Sequence, residues 1–124
     1  MGAEFVNYKI NPWSPVKSAR FKSAASTNAT GVRTAPANLI AAIIQNNSAA
    51  TKYVKFHNTS APVAGSTAVA VSFNCPAGQT WTHNFDAGIV FTTGLGFTIT
   101  GGAADTDTTN TAVDDVHLTV IYAD

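Results

Sequence analysis

The most reactive side chains in this 124-residue chain are three histidines and one cysteine. His57, His83 and His117 each lie in a segment whose apolar and polar residues alternate, which predicts a β-strand around each of them. The three histidines are far apart in sequence, and none forms the closely spaced pair typical of a zinc site. We therefore interpret all three as structural residues of strands and predict no catalytic residue among them.

The aspartates near the C-terminus are a second chemical candidate, because their spacing suggests a calcium site. Asp105 and Asp107 lie two residues apart in a glycine-led loop, and Asp114 and Asp115 follow. Ca²⁺ binds carboxylate oxygens, but the sixth-position glycine and the terminal glutamate of an EF-hand loop are missing here. The alternative is a turn in which Asp and Thr side chains cap backbone amides. We favour the turn, and we predict no metal and no other cofactor.

The remaining motifs do not complete an active site. Cys75 is the single cysteine, which excludes an internal disulfide; we interpret it as a buried thiol at the end of a strand, in a protein assembled in a reducing cytoplasm. Gly94 and Gly96 resemble the start of a nucleotide-binding loop, but a strand-like segment follows them where such a loop needs a helix. They are better suited to a bulge or a tight bend. Since the chain also lacks a G-x-S-x-G motif, the sequence predicts that this protein is not an enzyme.

Aromatic residues leave one binding function open. Trp13, Tyr53 and Trp81 would form a stacking platform for the apolar faces of sugars if the fold brought them together. A carbohydrate-binding module for host recognition is therefore an alternative. The simpler interpretation places these rings in the core or at an interface.

The elements that must position these residues are short strands separated by turns. No window of useful length shows helical periodicity, and the strand spacing is typical of a sandwich or a barrel. We predict an all-β domain over residues 21–124, an antiparallel β-sandwich. Its expected strands are Phe21–Ala25, Leu39–Gln45, Lys52–Asn58, Ala68–Asn74, Gln79–Phe85, Ile89–Phe91, Leu95–Thr100 and Val116–Tyr122.

Residues 1–20 differ from the rest of the chain. Pro12 and Pro15 favour an extended backbone, and the segment is rich in aromatic and basic side chains. We predict an extended N-terminal arm that docks on a neighbouring subunit; the alternatives are an arm folded back on its own domain or a first edge strand. The expected interface residues are Phe5, Tyr8, Lys9, Trp13, Lys17 and Arg20.

Charge is sparse and unevenly distributed. Charged residues make up 11% of the chain, against roughly 25% in a typical soluble domain, which fits a surface covered by partners or one kept soluble by Thr and Asn. Residues 1–35 carry five bases and one acid, whereas residues 86–124 carry six acids and no Lys or Arg. Such asymmetry can steer one subunit onto another. The sequence contains no dense basic patch of the kind that binds nucleic acid, and no apolar run approaches the roughly 18 residues of a membrane span.

Several segments together resemble a family of small β domains encoded by tailed bacteriophages. They are Ser23-Ala-Ala-Ser-Thr-Asn-Ala-Thr30, Tyr53-Val-Lys-Phe-His-Asn-Thr-Ser-Ala-Pro-Val63, Pro76-Ala-Gly78, Gly88-Ile-Val-Phe-Thr-Thr-Gly-Leu95, Thr100-Gly-Gly-Ala-Ala-Asp-Thr-Asp-Thr-Thr109 and the final strand. The resemblance covers roughly residues 22–123 and excludes the arm. It implies a β-sandwich of jelly-roll type and a structural role in the virion, and it supplies no catalytic residue. The loop after Val63 departs from the family, because it is shorter and lacks the usual Thr-Asp pair.

On this basis we expect a capsid decoration (cement) protein that stabilises the phage head through contacts with the major capsid protein or other virion proteins. The alternative within the particle is a neck, tail or fibre component. We also expect a homo-oligomer, for which a trimer is the simplest match to the three-fold sites of a capsid. The expected location is the virion, assembled in the cytoplasm of the host bacterium, with no nucleic acid and no membrane as partner.

Overall fold

The computed structural model describes residues 16–124, and 53% of these residues are in strands. Eight strands follow one another: β1 (Val16–Lys22), β2 (Thr30–Arg33), β3 (Ala37–Asn46), β4 (Lys52–His57), β5 (Val71–Cys75), β6 (Thr80–Phe91), β7 (Leu95–Thr100) and β8 (Val116–Ala123). Among these residues, none belongs to a helix long and apolar enough to cross a membrane.

The strands form two four-stranded antiparallel sheets that pack against each other. Sheet I has the order β1-β8-β3-β6, and sheet II has the order β2-β7-β4-β5. The first strand pairs with the eighth, the second with the seventh, the third with the sixth and the fourth with the fifth. This nested pairing is that of one long hairpin folded over on itself, which is a jelly roll. The predicted all-β sandwich is confirmed.

The core lies between the two sheets and follows the predicted alternation. Phe56, Phe97 and Leu118 are buried on the inner faces, and the rings of Phe21 in sheet I and Phe97 in sheet II meet edge to face at 4.8 Å. The buried cluster comprises Ala37, Leu39, Ala42, Ile44, Val54, Phe56, Cys75, Phe91, Leu95, Phe97, Ile99, Val116, Leu118 and Val120. Alternating apolar side chains from six strands thus close one continuous core.

Two details of the strand prediction are wrong. The turn expected at Asp86-Ala-Gly88 lies inside the continuous strand β6, where the pairing with β3 shifts register between Ile89 and Asn84, and Gly88 has a φ of 79°. The chain therefore kinks there and stays in the sheet. The structure also contains β2, a four-residue strand with one large apolar side chain, Val32, that gives too weak an alternation to be recognised.

The boundary between arm and domain also differs from the prediction. Residues 16–20, assigned to the arm, pair with β8 from Val16↔Ala123 to Arg20↔Thr119. The domain therefore includes these residues, because their backbone completes the edge of sheet I. The rest of the arm, with Phe5, Tyr8, Lys9 and Trp13, lies outside the described residues.

Candidate functional site

The three histidines lie in three separate environments, each on the strand predicted for it. On the outer face of sheet II, His57 is buried; its Nδ1 donates to Ala68 O at 3.0 Å, and its Nε2 lies 2.9 Å from Thr98 Oγ1. His117 has its Nδ1 3.0 Å from an Arg20 nitrogen, on the outer side of sheet I. His83 packs between the sheets against Phe73, and burial lowers its pKa. The fold does not bring the three together.

Beside His57, a buried lysine occupies a position that the alternation of β4 assigns to the polar face of the strand. Lys55 is 1% exposed, and its Nζ donates to Ala104 O at 2.6 Å. Burial lowers the pKa of its ammonium from the usual 10.5, and the charges of Asp107 and Asp105 act in the opposite direction. The loop after β7 therefore covers the outer face of sheet II. The alternation of β4 gives no signal of this cover, because the loop is distant in sequence.

The aspartates of this loop accept hydrogen bonds from the backbone of the loop itself. Asp107 accepts the backbone N–H of Gly102 at 2.9 Å, the backbone N–H of Thr109 at 3.0 Å and the Thr109 hydroxyl at 2.9 Å. These bonds, chiefly that from the Thr109 backbone, lower the pKa of Asp107. Asp115 likewise accepts the N–H of Ala112 at 2.9 Å. The capped turn is the arrangement observed, and within residues 16–124 no three His, Cys, Asp or Glu side chains group to hold a metal.

Cys75 fulfils the structural role expected of it, whereas Gly96 permits a close approach of two backbones and not the bulge or tight bend expected. The Cys75 thiol is buried, contacts the carbonyl oxygens of Gln79 and Ile44 at 3.2 and 3.5 Å, and has a pKa raised chiefly by burial. At Gly96, a Cβ would collide with the carbonyl oxygen of Thr59. A glycine there lets the chain after β4 pass directly over β7.

Of the predicted interface residues, Lys17 and Arg20 fall within the described region, on the edge strand β1. Lys17 Nζ lies 2.6 Å from Asp124 Oδ2, and Arg33 approaches the same carboxylate at 3.0 Å. Together they lower the pKa of Asp124, with the Lys17 hydrogen bond as the main cause. Both predicted bases are therefore on an exposed edge, but each already contacts a side chain of its own domain.

A depression of about 330 Å³ lies beside the end of β2. Its one charged lining residue, Arg33, donates to Pro36 O at 2.9 Å and pairs with Asp124. The guanidinium is thus already bonded within the domain. The other lining residues are Gly31, Val32, Thr34, Ser60 and Tyr122.

At the opposite side of the sandwich, four rings form what we call the aromatic seam: Phe73 of β5 with Trp81, His83 and Phe85 of β6. Phe73 lies 4.5 Å from the His83 ring and 5.6 Å from Phe85, while Trp81 lies 6.3 Å from His83. Trp81 is 37% exposed and the other three are half-buried. The seam joins the two sheets at a side where, among the strands of residues 16–124, neither β5 nor β6 has a further neighbour.

The sugar-stacking platform is not assembled from the residues expected for it. Trp81 belongs to the seam, whereas Tyr53 pairs with Thr100 and Asn74 and lies on the outer side of sheet II with Lys55. Within the described part of the chain, the rings of Tyr53 and Trp81 make no contact. Trp13 lies outside it. Sequence reasoning recognised Trp81, but not that Phe73 of sheet II meets His83 and Phe85 of sheet I beside it.

Comparisons of this chain with protein-family models, with curated proteins and with solved structures find no match.

Proposed function

We propose that this protein is a non-enzymatic structural component of a bacteriophage particle, and specifically a capsid decoration (cement) protein. The sequence resemblance over roughly residues 22–123 is the reason for placing it in a phage. A jelly roll is also an architecture that viral capsid domains use.

The observation that best supports a binding role is the aromatic seam, which lies beside two strand edges without a neighbour in the described part of the chain. An exposed strand edge is a template for pairing with another chain, and exposed aromatic rings add apolar contact area. By contrast, His57, Lys55 and Asp107 are each bonded within the domain. These three side chains therefore stabilise the fold, whereas the aromatic seam is available for attachment to a partner.

Attachment to a capsid requires more area than one strand edge supplies. Stable protein interfaces bury on the order of 1,200–2,000 Å² in total. Residues 1–15, with Phe5, Tyr8 and Trp13, supply additional apolar side chains for such an interface. In this proposal the jelly roll sits on the particle surface and the arm holds it to a neighbour.

The location is tested by quantitative mass spectrometry of purified virions of the phage that encodes the protein. Hundreds of copies per particle are expected for a decoration protein. A dozen or fewer would instead favour a neck, tail or fibre component, and absence from the virion would overturn the proposal.

The role of the arm is tested by adding full-length and shortened protein to capsids that lack it. Because residues 16–20 belong to β1, the shortened variant should lack residues 1–14 only. We expect it to fold and to occupy fewer capsid sites at equal concentration. Unchanged occupancy would contradict attachment through the arm.

A sugar-binding role can be tested at Trp81, because this residue is 37% exposed. Titrating the protein with polysaccharide from the host surface, with Trp81→Ala as the control, distinguishes the two functions. A structural protein should show no saturable quenching of Trp81 fluorescence, whereas a carbohydrate-binding module should show it and lose it in the variant.

A further inference from the structure

The side of the sandwich between β5 and β6 presents one edge of each strand. Within residues 16–124, strand β5 pairs with β4 alone and β6 pairs with β3 alone, so among the described strands each has one backbone edge without a neighbour. Between these edges lie the half-buried rings of the aromatic seam and the exposed indole of Trp81. An added strand would satisfy backbone groups along one edge and cover the rings with its apolar side.

The chain itself contains a segment with the right pattern, before the first described strand. In residues 6–10, Val6, Tyr8 and Ile10 alternate with Asn7 and Lys9, which gives one apolar and one polar side in an extended backbone. We propose that residues 6–10 of a second copy of this chain lie along β6 as an added strand, with Val6, Tyr8 and Ile10 against the aromatic seam.

The reach of the chain favours a second copy over the same one. Val16 lies on β1, at the opposite edge of sheet I, in the row that continues through Ala123 and Asn38 to Val90 of β6. A strand added outside β6 lies four strand spacings of about 4.8 Å from Val16, about 19 Å in all. The six residue steps from Ile10 to Val16 span at most about 20 Å when fully extended. The crossing would consume this linker and leave nothing for the turn that brings residues 6–10 alongside β6 of the same domain.

Charge supports the same placement. Asp86 is exposed on β6 next to Phe85 of the seam, and within residues 16–124 it forms no ion pair. Lys9 is the one basic residue of the segment, on its polar side. An arm lying along β6 can bring Lys9 to Asp86 while Tyr8 faces the rings.

This inference rests on the proposed function only in treating residues 1–15 as an attachment arm, and it can be tested on the purified full-length chain. The photoreactive amino acid p-benzoylphenylalanine replaces Tyr8, and the variant in ¹⁴N form is mixed with ¹⁵N wild-type chain before irradiation. Mass spectrometry then identifies the cross-linked peptides. The isotope labels separate links between copies from links within one.

We expect links from position 8 of the light chain to heavy peptides that contain Phe73 or Trp81–Phe85. The same probe at Asn7, on the polar side, should give fewer of them. Links confined to one chain would show an arm covering its own seam and would overturn the proposal, as would links to other surfaces or none. The cross-linking experiment involves no capsid, so its failure would not contradict a role in the virion. Conversely, absence of the protein from the virion would not contradict cross-links between two copies.

The ion pair provides a second test, by sedimentation equilibrium of full-length variants. Lys9→Glu and Asp86→Lys should each weaken self-association by up to about fivefold per contact, the range of an exposed ion pair. The double variant Lys9→Glu/Asp86→Lys should recover the association of the wild type. A double variant no better than the single ones would overturn the pairing, and a wild-type chain that stays monomeric would overturn the proposal as a whole.

Discussion

Lys55 shows how a single residue can be assigned to the correct face and still be misjudged. Its alternation with Val54 and Phe56 places it on the outer side of sheet II, as predicted, yet it is 1% exposed. A long loop crosses that side and brings the Ala104 carbonyl to within 2.6 Å of its ammonium. A buried ammonium costs free energy unless bonds and opposite charges compensate. Here the Ala104 carbonyl and the carboxylates of Asp105 and Asp107 offset only part of the cost, since burial still lowers the pKa of Lys55.

The buried ammonium predicts a specific pH dependence of stability. Because the pKa of Lys55 is lower in the folded chain than the 10.5 of the unfolded chain, the unfolded state binds more protons between those two values. The free energy of unfolding of wild type relative to Lys55→Met should therefore rise as the pH increases toward 10.5. Urea unfolding of both proteins between pH 8 and pH 10 measures it, and a constant difference would contradict it.

A second variant separates charge from packing at this site. Lys55→Ala removes the buried stem as well as the ammonium, whereas Lys55→Met keeps a side chain of similar length. We expect Lys55→Ala to be less stable than Lys55→Met by about 2–4 kcal/mol, the usual cost of truncating a buried long side chain to Ala. Equal stabilities would mean that the stem contributes little.

At the scale of elements, the first strand has two roles that the sequence does not separate. Residues 16–22 are one continuous edge strand, yet their charged and aromatic residues resemble those of the preceding arm. Seven consecutive residues pair with β8, and Lys17 adds an ion pair to Asp124. The strand therefore ends the arm and completes sheet I.

Two deletions should distinguish these roles. Removing residues 1–14 leaves β1 intact, so the melting temperature should stay close to that of the full chain when both are measured at a concentration at which the full chain is monomeric. Removing residues 1–20 eliminates five of the seven residues of β1 and leaves one side of β8 unpaired. At about 1 kcal/mol for each lost hydrogen bond, we expect a loss of about 2–4 kcal/mol, or roughly 10 °C or more in melting temperature.

Thermal unfolding followed by circular dichroism provides the comparison. Similar melting temperatures for the two shortened proteins would contradict the assignment of residues 16–20 to the domain. A large destabilisation by removal of residues 1–14 would show that the arm contributes to the stability of its own domain.

For the whole molecule, the nested pairing of strands makes most contacts non-local. β1 pairs with β8, and the Lys17–Asp124 ion pair joins positions 107 residues apart. Chains dominated by such contacts close long loops before they gain stabilising interactions, and they fold slowly. We expect refolding in milliseconds to seconds, measured by stopped-flow tryptophan fluorescence. Refolding in microseconds would contradict this expectation.

The sequence by itself determined the fold class and the structural role of several residues. Alternation in β4, β7 and β8 predicts which side chains enter the core, because successive side chains of a strand point to opposite faces. The burial of Cys75 and the turn capped by Asp107 are also confirmed, since both depend on local chemistry.

Only the tertiary structure decided what covers each face and which edges stay open. The outer face of sheet II is closed by a loop that holds Lys55, and the aromatic seam forms where Phe73 of β5 meets β6 of the other sheet. The periodicity of a strand reports which residues share a face. It does not report which distant segment packs on that face, because that depends on contacts between residues far apart in the chain.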